Sequence, residues 1–256
     1  MVLEEEIGVP RFQRTTRSTR LTFAGGVFLR DARQILANVE IASHSAREAA
    51  HGRNARLTLS FADGLATARV THLLTAIRTV HPELEIRLLD LPGAHQLSAL
   101  RSGQLDLAPA AREADGPDLR SEALWIEPLG VVVPSSHALA AMPRVDIGQL
   151  RDEPMVMCHP DLGSGCYGQL MAAFRDAGIE PRVSEYVFHR GTTLALVASG
   201  FGLAIATMGV DGEPSPGVVL KPLVGPKTGL TVYGVSRADD GSESVAAALV
   251  LARSLG

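Results

Sequence analysis

From residue 28 the chain carries apolar residues at Phe28, Ala32, Ile35, Val39, Ala42, Ala46 and Ala49, alternately four and three positions apart. Three heptads at that spacing predict an α-helix with one continuous apolar seam. Thr22 suits its N-cap and His51-Gly-Arg-Asn54 its end, which makes the helix roughly 45 Å long at 1.5 Å per residue. One protomer offers nothing of that length to cover the seam, and alanines let a second helix approach closely. The seam therefore reads as a dimerisation surface, the alternative being an amphipathic helix laid on its own domain. Ahead of it, residues 11–20 alternate arginine with small hydroxylated residues and lack a helical face, so a short ribbon or loop is expected there.

Beyond residue 54 the period changes. Strand-like runs at 56–61, 85–89, 104–108, 129–133, 154–158, 182–187, 203–206 and 230–235 alternate with helical patterns at 65–80, 94–101, 147–150, 167–177, 192–199 and 242–255. Such alternation predicts an α/β fold of parallel sheets with helices on both faces, in two lobes. Ligands of such folds sit at the carboxyl ends of strands, near helix N-termini. The Pro- and Gly-rich run 209–226 is expected to be a surface loop.

Composition narrows the function classes. The 256 residues are 46% hydrophobic and 20% charged, enough chain to bury a core without a disulfide or metal staple. The longest uncharged apolar stretch, 194–210, is interrupted by Ser199, Gly200, Gly202, Thr207 and Gly209, so no membrane contact is expected. The start Met-Val-Leu-Glu-Glu-Glu is acidic where a secretory leader is basic, which points to the cytoplasm, as do only two cysteines, Cys158 and Cys166. Net charge is −4 but unevenly spread: residues 1–58 hold 9 Arg against 6 acids, and the remainder 15 basic against 22 acidic residues. Arg11, Arg14, Arg17 and Arg20 fall within ten residues that contain no acid, a phosphate-binding pattern at one end of the chain. No His/Cys cluster has metal-ligand spacing and no catalytic acid–base set is visible, so neither a metal nor a cofactor nor a catalytic role is expected. The run 163–168, Gly-Ser-Gly-Cys-Tyr-Gly, does satisfy G-x-G-x-x-G, with Glu185 further on, which keeps a nucleotide-dependent enzyme as an alternative.

The order of several segments resembles the LysR-type transcriptional regulators. These are Leu3-Glu-Glu-Glu-Ile-Gly-Val-Pro-Arg-Phe12, Arg20-Leu-Thr-Phe-Ala-Gly25, His81-Pro-Glu-Leu-Glu-Ile86, Gly103-Gln-Leu-Asp-Leu107, Pro128-Leu-Gly-Val-Val-Val-Pro-Ser-Ser-His137, Leu150-Arg-Asp-Glu-Pro154 and Leu196-Val-Ala-Ser-Gly-Phe-Gly-Leu-Ala204. They cover nearly the whole chain. The resemblance implies the end of a winged helix-turn-helix over 1–21, a linker and dimerisation helix over 22–53, and an effector-binding domain over 54–256. That domain is implied to resemble a periplasmic solute-binding protein, with lobe I at 54–132 and 233–256 and lobe II at 133–232. In the family the base-reading helices precede the Leu3 segment, so the expectation for this chain is DNA binding that is weak or lost. The implied function is transcription regulation by a small polar metabolite in a dimer or tetramer, with helix 65–80 a candidate second interface; a solute-binding protein is the main alternative. Pro109 and Ala206-Thr-Met-Gly209 depart from the family pattern, and both are expected to reshape the rim of the cleft.

The resemblance also places the effector site. Ala62-Asp-Gly64 ahead of a helix would meet the effector; Asp63 there reads either as that helix's N-cap or, facing the cleft, as a group selecting an ammonium-bearing effector. On the other lobe, Ser164 with the amides of Gly165 and Cys166 would cradle a carboxylate, and His159 would add a switchable charge. Thr192 and Thr193 fit a second-lobe contact or a helix cap, and Gly93 and His95 open another helix or form a plain turn. Cys158 and Cys166 read either as a redox pair, with Cys166 acidified by a helix N-terminus, or as two ordinary small core residues.

Overall fold

The computed structural model describes residues 2–14, 19–50, 56–61, 65, 68–160, 165–208 and 215–255. The chain divides into two compact units, 1–53 and 54–256.

The first unit holds α1 (Val2–Ile7), an antiparallel hairpin of β1 (Phe12–Arg14) and β2 (Thr19–Leu21), and α2 (Phe23–Ala50). Thr22 caps α2: its Oγ1 accepts the Gly25 amide at 2.9 Å and donates to the Pro10 carbonyl at 2.8 Å. Only glycine fits at position 25, since a Cβ there would fall 2.0 Å from the Arg11 carbonyl oxygen. The Glu4 carboxylate accepts the amides of Arg11 and Phe12 at 2.8 and 3.3 Å. The bond from the Arg11 amide outweighs desolvation and holds that carboxyl below its ordinary range. Arg11 lays its guanidinium over the rings of Phe28, 5.1 Å away, and Phe12, 5.9 Å away, so it is engaged in joining hairpin to helix. Arg20 is exposed on β2, Arg14 lies on β1, and Arg17 is outside the described residues. Along α2, Ile35 and Val39 are left 62% and 56% exposed, Ala32 is half-buried, and Ala42 and Ala46 lie on the same helix.

The second unit has two sheets sharing one long strand. In the first lobe, β3 (Arg56–Leu59), α3 (Ala68–Val80), β4 (Glu85–Leu88), α4 (Gly93–Arg101) and β5 (Ala108–Ala110) come in order. Strand β3 is parallel to β4 and bridges in parallel from Leu59 to Leu107. The long β6 (Leu119–Pro134) follows. The second lobe holds β7 (Val145–Asp146), β8 (Pro154–Cys158), α5 (Cys166–Asp176), β9 (Arg182–Val187), α6 (Arg190–Ala198), β10 (Ala204–Thr207) and β11 (Val218–Val224). The chain then returns through β12 (Gly229–Arg237) and α7 (Glu243–Arg253) to the first lobe. Over Leu119–Pro128, β6 is antiparallel to β12; from Leu129 it pairs instead with β10 and β11. The change of partner at Pro128 and Leu129 is where the lobes join.

Leu57, Leu59, Leu73 and Ile77 form the apolar centre of the first lobe, and Met155, Met157, Leu170 and Phe174 that of the second. Val70, Leu73 and Ile77 put one face of α3 in the core, while Val80 is exposed. Glu127, 1% exposed, accepts the Trp125 indole N–H at 2.8 Å and lies 3.7 Å from Arg69 Nε, while Arg69 also donates to the Leu255 carbonyl. That group ties α3 to β6 and to the end of α7.

Three expectations need correction. The sheets are mixed: β3–β4 and β8–β9 are parallel, but every pairing of β6 is antiparallel. The strand expected at 104–108 forms at 108–110, with Pro109 inside it opposite Gly234. The expected loop at 209–226 contains β11, whose ladder with β6 ends at Pro222 opposite Gly130, so the missing N–H falls at the end of that ladder.

Candidate functional site

The cavity of interest lies where β6 changes partners and encloses about 90 Å³. Leu129 and Val132 of β6, Ile205 to Thr207 of β10 and Leu230 of β12 supply one wall; Leu65, ahead of α3, approaches from the first lobe. The second lobe adds Val156 and Cys158 from the end of β8, Cys166 and Leu170 from the start of α5, and Val187, Phe188, Arg190, Thr193 and Leu194 from the turn between β9 and α6. Most of this lining is apolar. Among the described residues, Arg190 is its one charged side chain, and Thr193, Thr207 and the two thiols are its other polar groups.

Local sequence explains how these groups are held. Gly165 is the N-cap of α5 at φ 82°, a left-handed conformation that favours glycine. A Cβ there would also fall 2.6 Å from Arg112 Cγ, so the turn packs directly on the first lobe. Cys166 then starts the helix with its sulfur 2.9 Å from that of Cys158, both in the reduced thiol form. That exceeds the ~2.05 Å of a disulfide. The hydrogen bond with Cys166 and burial together push the Cys158 thiol far above its usual range. Thr193, within the first turns of α6, donates its hydroxyl back to the His189 carbonyl at 3.2 Å, a bond along the helix and not a cap, since the N-cap is His189 and makes no side-chain cap bond. Behind Phe188, His159 is stacked at 5.6 Å with an interplanar angle of 8°, and meets Tyr186 edge-on at 6.0 Å. Tyr186 in turn bonds the Tyr167 hydroxyl, which raises that phenol's pKa.

Of the residues expected from sequence, Cys166 and Thr193 line the cavity. Gly165 and His159 sit beside lining residues, the one next to Cys166, the other against Phe188. Thr192 is exposed on α6, Gly93 and His95 open α4, and none of the three is among the described lining residues. Below His95, Gln96 turns inward and donates to the carbonyl and hydroxyl of Ser60 at 3.3 and 3.2 Å. Ala62, Asp63, Gly64 and Ser164 lie outside the described residues. Sequence reasoning passed over Arg190 and Phe188, and reached Thr207 only within the departing segment 206–209 at the rim of the cleft. One signal was available for Arg190: a cation in the first turn of a helix opposes the helix dipole, and such a cost points to a use elsewhere.

Among the described residues no helix is long and apolar enough to cross a membrane, and none form a metal-sized cluster of His, Cys, Asp and Glu. Comparison with known proteins then bears on the whole chain. Residues 50–254 match the family model described as LysR substrate binding domain. The Escherichia coli K12 protein named uncharacterized HTH-type transcriptional regulator YnfL is 31% identical over 204 residues, 79% of this chain and 69% of that one. ShiR of Corynebacterium glutamicum, an HTH-type transcriptional regulator, is 29% identical over 222 residues, 86% of this chain and 75% of its own. The crystal structure of CbnR, a LysR family regulator, superposes with a TM-score of 0.82 at 22% identity, over 99% of this chain and 86% of that chain; CbnR has also been solved with its target DNA. The effector-binding domain of QuiR in complex with shikimate gives a TM-score of 0.70 at 20% identity, over 79% of this chain and 97% of that one. The two-lobed α/β architecture is thus that of an effector-binding domain, and the chain belongs to the LysR family of transcriptional regulators.

Proposed function

We propose that residues 54–256 hold a small acid with an apolar body in the cavity between the lobes, and that its occupancy is passed to DNA through α2 and the segment before it. The observation that carries this reading is the cavity's place at the junction: Leu129, Thr207 and Leu230 are wall residues and also belong to the strands that exchange partners there. A ligand that fills the cavity in one lobe angle better than another shifts the population toward that angle.

The lining sets the ligand's chemistry. Aliphatic side chains and Phe188 favour an apolar body, while Arg190 at the start of α6 and the hydroxyls of Thr193 and Thr207 favour an anionic end. QuiR, of the same architecture, was solved with shikimate, a carboxylate, which supports the anionic end of that class; its ring is hydroxylated and does not bear on the apolar body. Ser164, Gly165, Cys166 and His159 are proposed to border the acid end from lobe II. Ala62, Asp63 and Gly64, with Gly93 and His95 beyond them, are the proposed lobe I contacts, and Thr192 supports the start of α6.

In this reading the protein is a cytoplasmic homo-oligomer. Phe28, Ala32, Ile35, Val39, Ala42 and Ala46 meet their counterparts in a second α2, and Arg14, Arg17 and Arg20 of the hairpin touch phosphates. CbnR supports the DNA half, having been solved on its target DNA. The test is a thermal-shift panel of small carboxylates, benzoate and shikimate included, against small amines, followed by titration calorimetry of the best binder. Carboxylates are expected to stabilise the protein, and Arg190→Met to weaken the best of them at least tenfold. Stabilisation by amines alone, or an unchanged affinity in Arg190→Met, overturns the reading.

A further inference from the structure

Gln169 lies on α5 between two cavity-wall residues of the same helix, Cys166 and Leu170, yet its side chain reaches across to the other lobe. Its Nε2 donates to the carbonyls of Ala111 and Thr231 at 2.7 and 2.8 Å, and its Oε1 accepts the Thr231 amide at 2.8 Å. Both amide hydrogens and the carbonyl oxygen of the side chain are thereby used. All three partners are backbone groups. Ala111 immediately follows β5, and Thr231 lies on β12, the two strands paired side by side in the first lobe's sheet.

The register explains why the gap exists. Strand β5 covers β12 at Tyr233, Gly234 and Val235 through Ala110, Pro109 and Ala108, and then ends. Thr231, two residues further along, points its N–H and C=O the same way as Tyr233, while β6 occupies the opposite edge with Ile126. The carboxamide of Gln169 stands where the next residue of β5 would pair, and presents a donor and an acceptor as a peptide unit would. An open sheet edge in lobe I is therefore completed by a side chain from lobe II. A second contact reinforces it one turn earlier, where Gly165 packs on the Arg112 side chain with no room for a Cβ.

We propose that Gln169 is the positioning residue that fixes the angle between the lobes, by acting as a substitute strand segment at the edge of β12, and that the cavity wall on α5 keeps its distance from β12 through this pairing. Gln169 acts on the lobes and need not touch an effector, so the proposal stands whatever ligand the cavity takes. Opening of the lobes must break two carbonyl bonds and one amide bond together. Replacing the amide by a carboxylate keeps the shape but removes the donor and sets negative charge against two carbonyl oxygens.

The test uses the full chain, carrying fluorophores on unnatural amino acids at exposed Arg87 on β4 and Glu185 on β9, read by single-molecule energy transfer. Gln169→Glu is expected to broaden the inter-lobe distance distribution and lengthen its mean by several ångström, with helix content by circular dichroism unchanged. Gln169→Met, of similar length and without donor or acceptor, is expected to broaden it in the same direction, and decides the matter if the glutamate variant does not fold. A lowered melting temperature with an unaltered distance distribution in the folded variants would mean that Gln169 is a stabilising contact only, and overturns the proposal. Amide exchange gives an independent check: Thr231 should lose protection in both variants while Tyr233, held by β5, keeps it.

Discussion

Replacing Ile35 by aspartate tests the reading of α2 as a dimerisation helix. Ile35 is 62% exposed in the protomer, with Leu36 at 65% and Val39 at 56% beside it. Burying an isoleucine side chain fully is worth about 1.5–3 kcal/mol, so the part left open here corresponds to about 1–2 kcal/mol in each protomer. A two-fold seam buries it twice, which makes about 2–4 kcal/mol. At 1.4 kcal/mol per factor of ten, Ile35→Asp should raise the dissociation constant roughly 30- to 700-fold, before any cost of facing one aspartate with another. Sedimentation equilibrium over a wide concentration series, at high salt to suppress ionic contacts, measures this directly. Arg33→Asp is the control, because two residues correspond to about 200° around the helix and its exposed side chain leaves the seam untouched. An unchanged constant for Ile35→Asp, or equal weakening by Arg33→Asp, refutes the seam and leaves α2 as a helix that serves its own chain.

The remaining predictions concern single contacts. Gly25→Ala should loosen the hairpin from α2 at a cost of about 1–3 kcal/mol, since the obstructing atom is the Arg11 carbonyl oxygen and backbone gives way poorly; exchange of the Thr22 amide, which donates to that oxygen, reports it. Gly165→Ala should cost about 1–2 kcal/mol through its left-handed backbone, read as a lower denaturation midpoint, and more through the clash with Arg112, whose Cβ lies 2.7 Å from the new methyl and cannot swing away. The Glu4 carboxyl is held below its ordinary value of 4.5, so its support for the hairpin is complete above that pH and fades as pH falls through the depressed value. Glu4→Gln should abolish that acid-induced loosening, measured by amide exchange at Arg11 and Phe12. The Cys158 thiol is pushed up, so it should resist iodoacetamide at pH 8 under conditions that alkylate glutathione completely, as checked by mass spectrometry.

What could be read from the sequence follows the range of the interactions. The span of α2, the Thr22 cap and the strands at 154–158 and 182–187 depend on neighbours within a few residues, and the structure has α2 at Phe23–Ala50 and those strands at the expected positions. Strand β11 was hidden because Pro222 and the surrounding Pro/Gly content signal a loop locally, whereas the strand exists through its pairing with β6 about ninety positions earlier. The antiparallel character of the shared strand was equally out of reach. Alternating helices and strands imply parallel crossovers, but β6 is paired by β10, β11 and β12, all drawn from far along the chain.

The site divides in the same way. Cys166 and Thr193 were legible because each opens a helix, and helix starts are visible as local changes of period. Phe188 and Thr207 carry no such mark: an aromatic after one strand and a threonine ending another are ordinary until the fold brings them to one cavity. Gln169 is the clearest case, a polar residue at the margin of the inward face of an amphipathic helix, three positions after Cys166 and four before Ala173, whose partners periodicity does not reveal. Its three bonds exist because β5 ends at Ala110 while β12 continues past it, a mismatch in strand length that only the assembled sheet contains. Local sequence therefore places the groups that would touch a ligand more readily than those that join the lobes. The joining groups are where a two-lobed domain converts occupancy into a change of shape, and they have to be sought at sheet edges and at changes of strand partner.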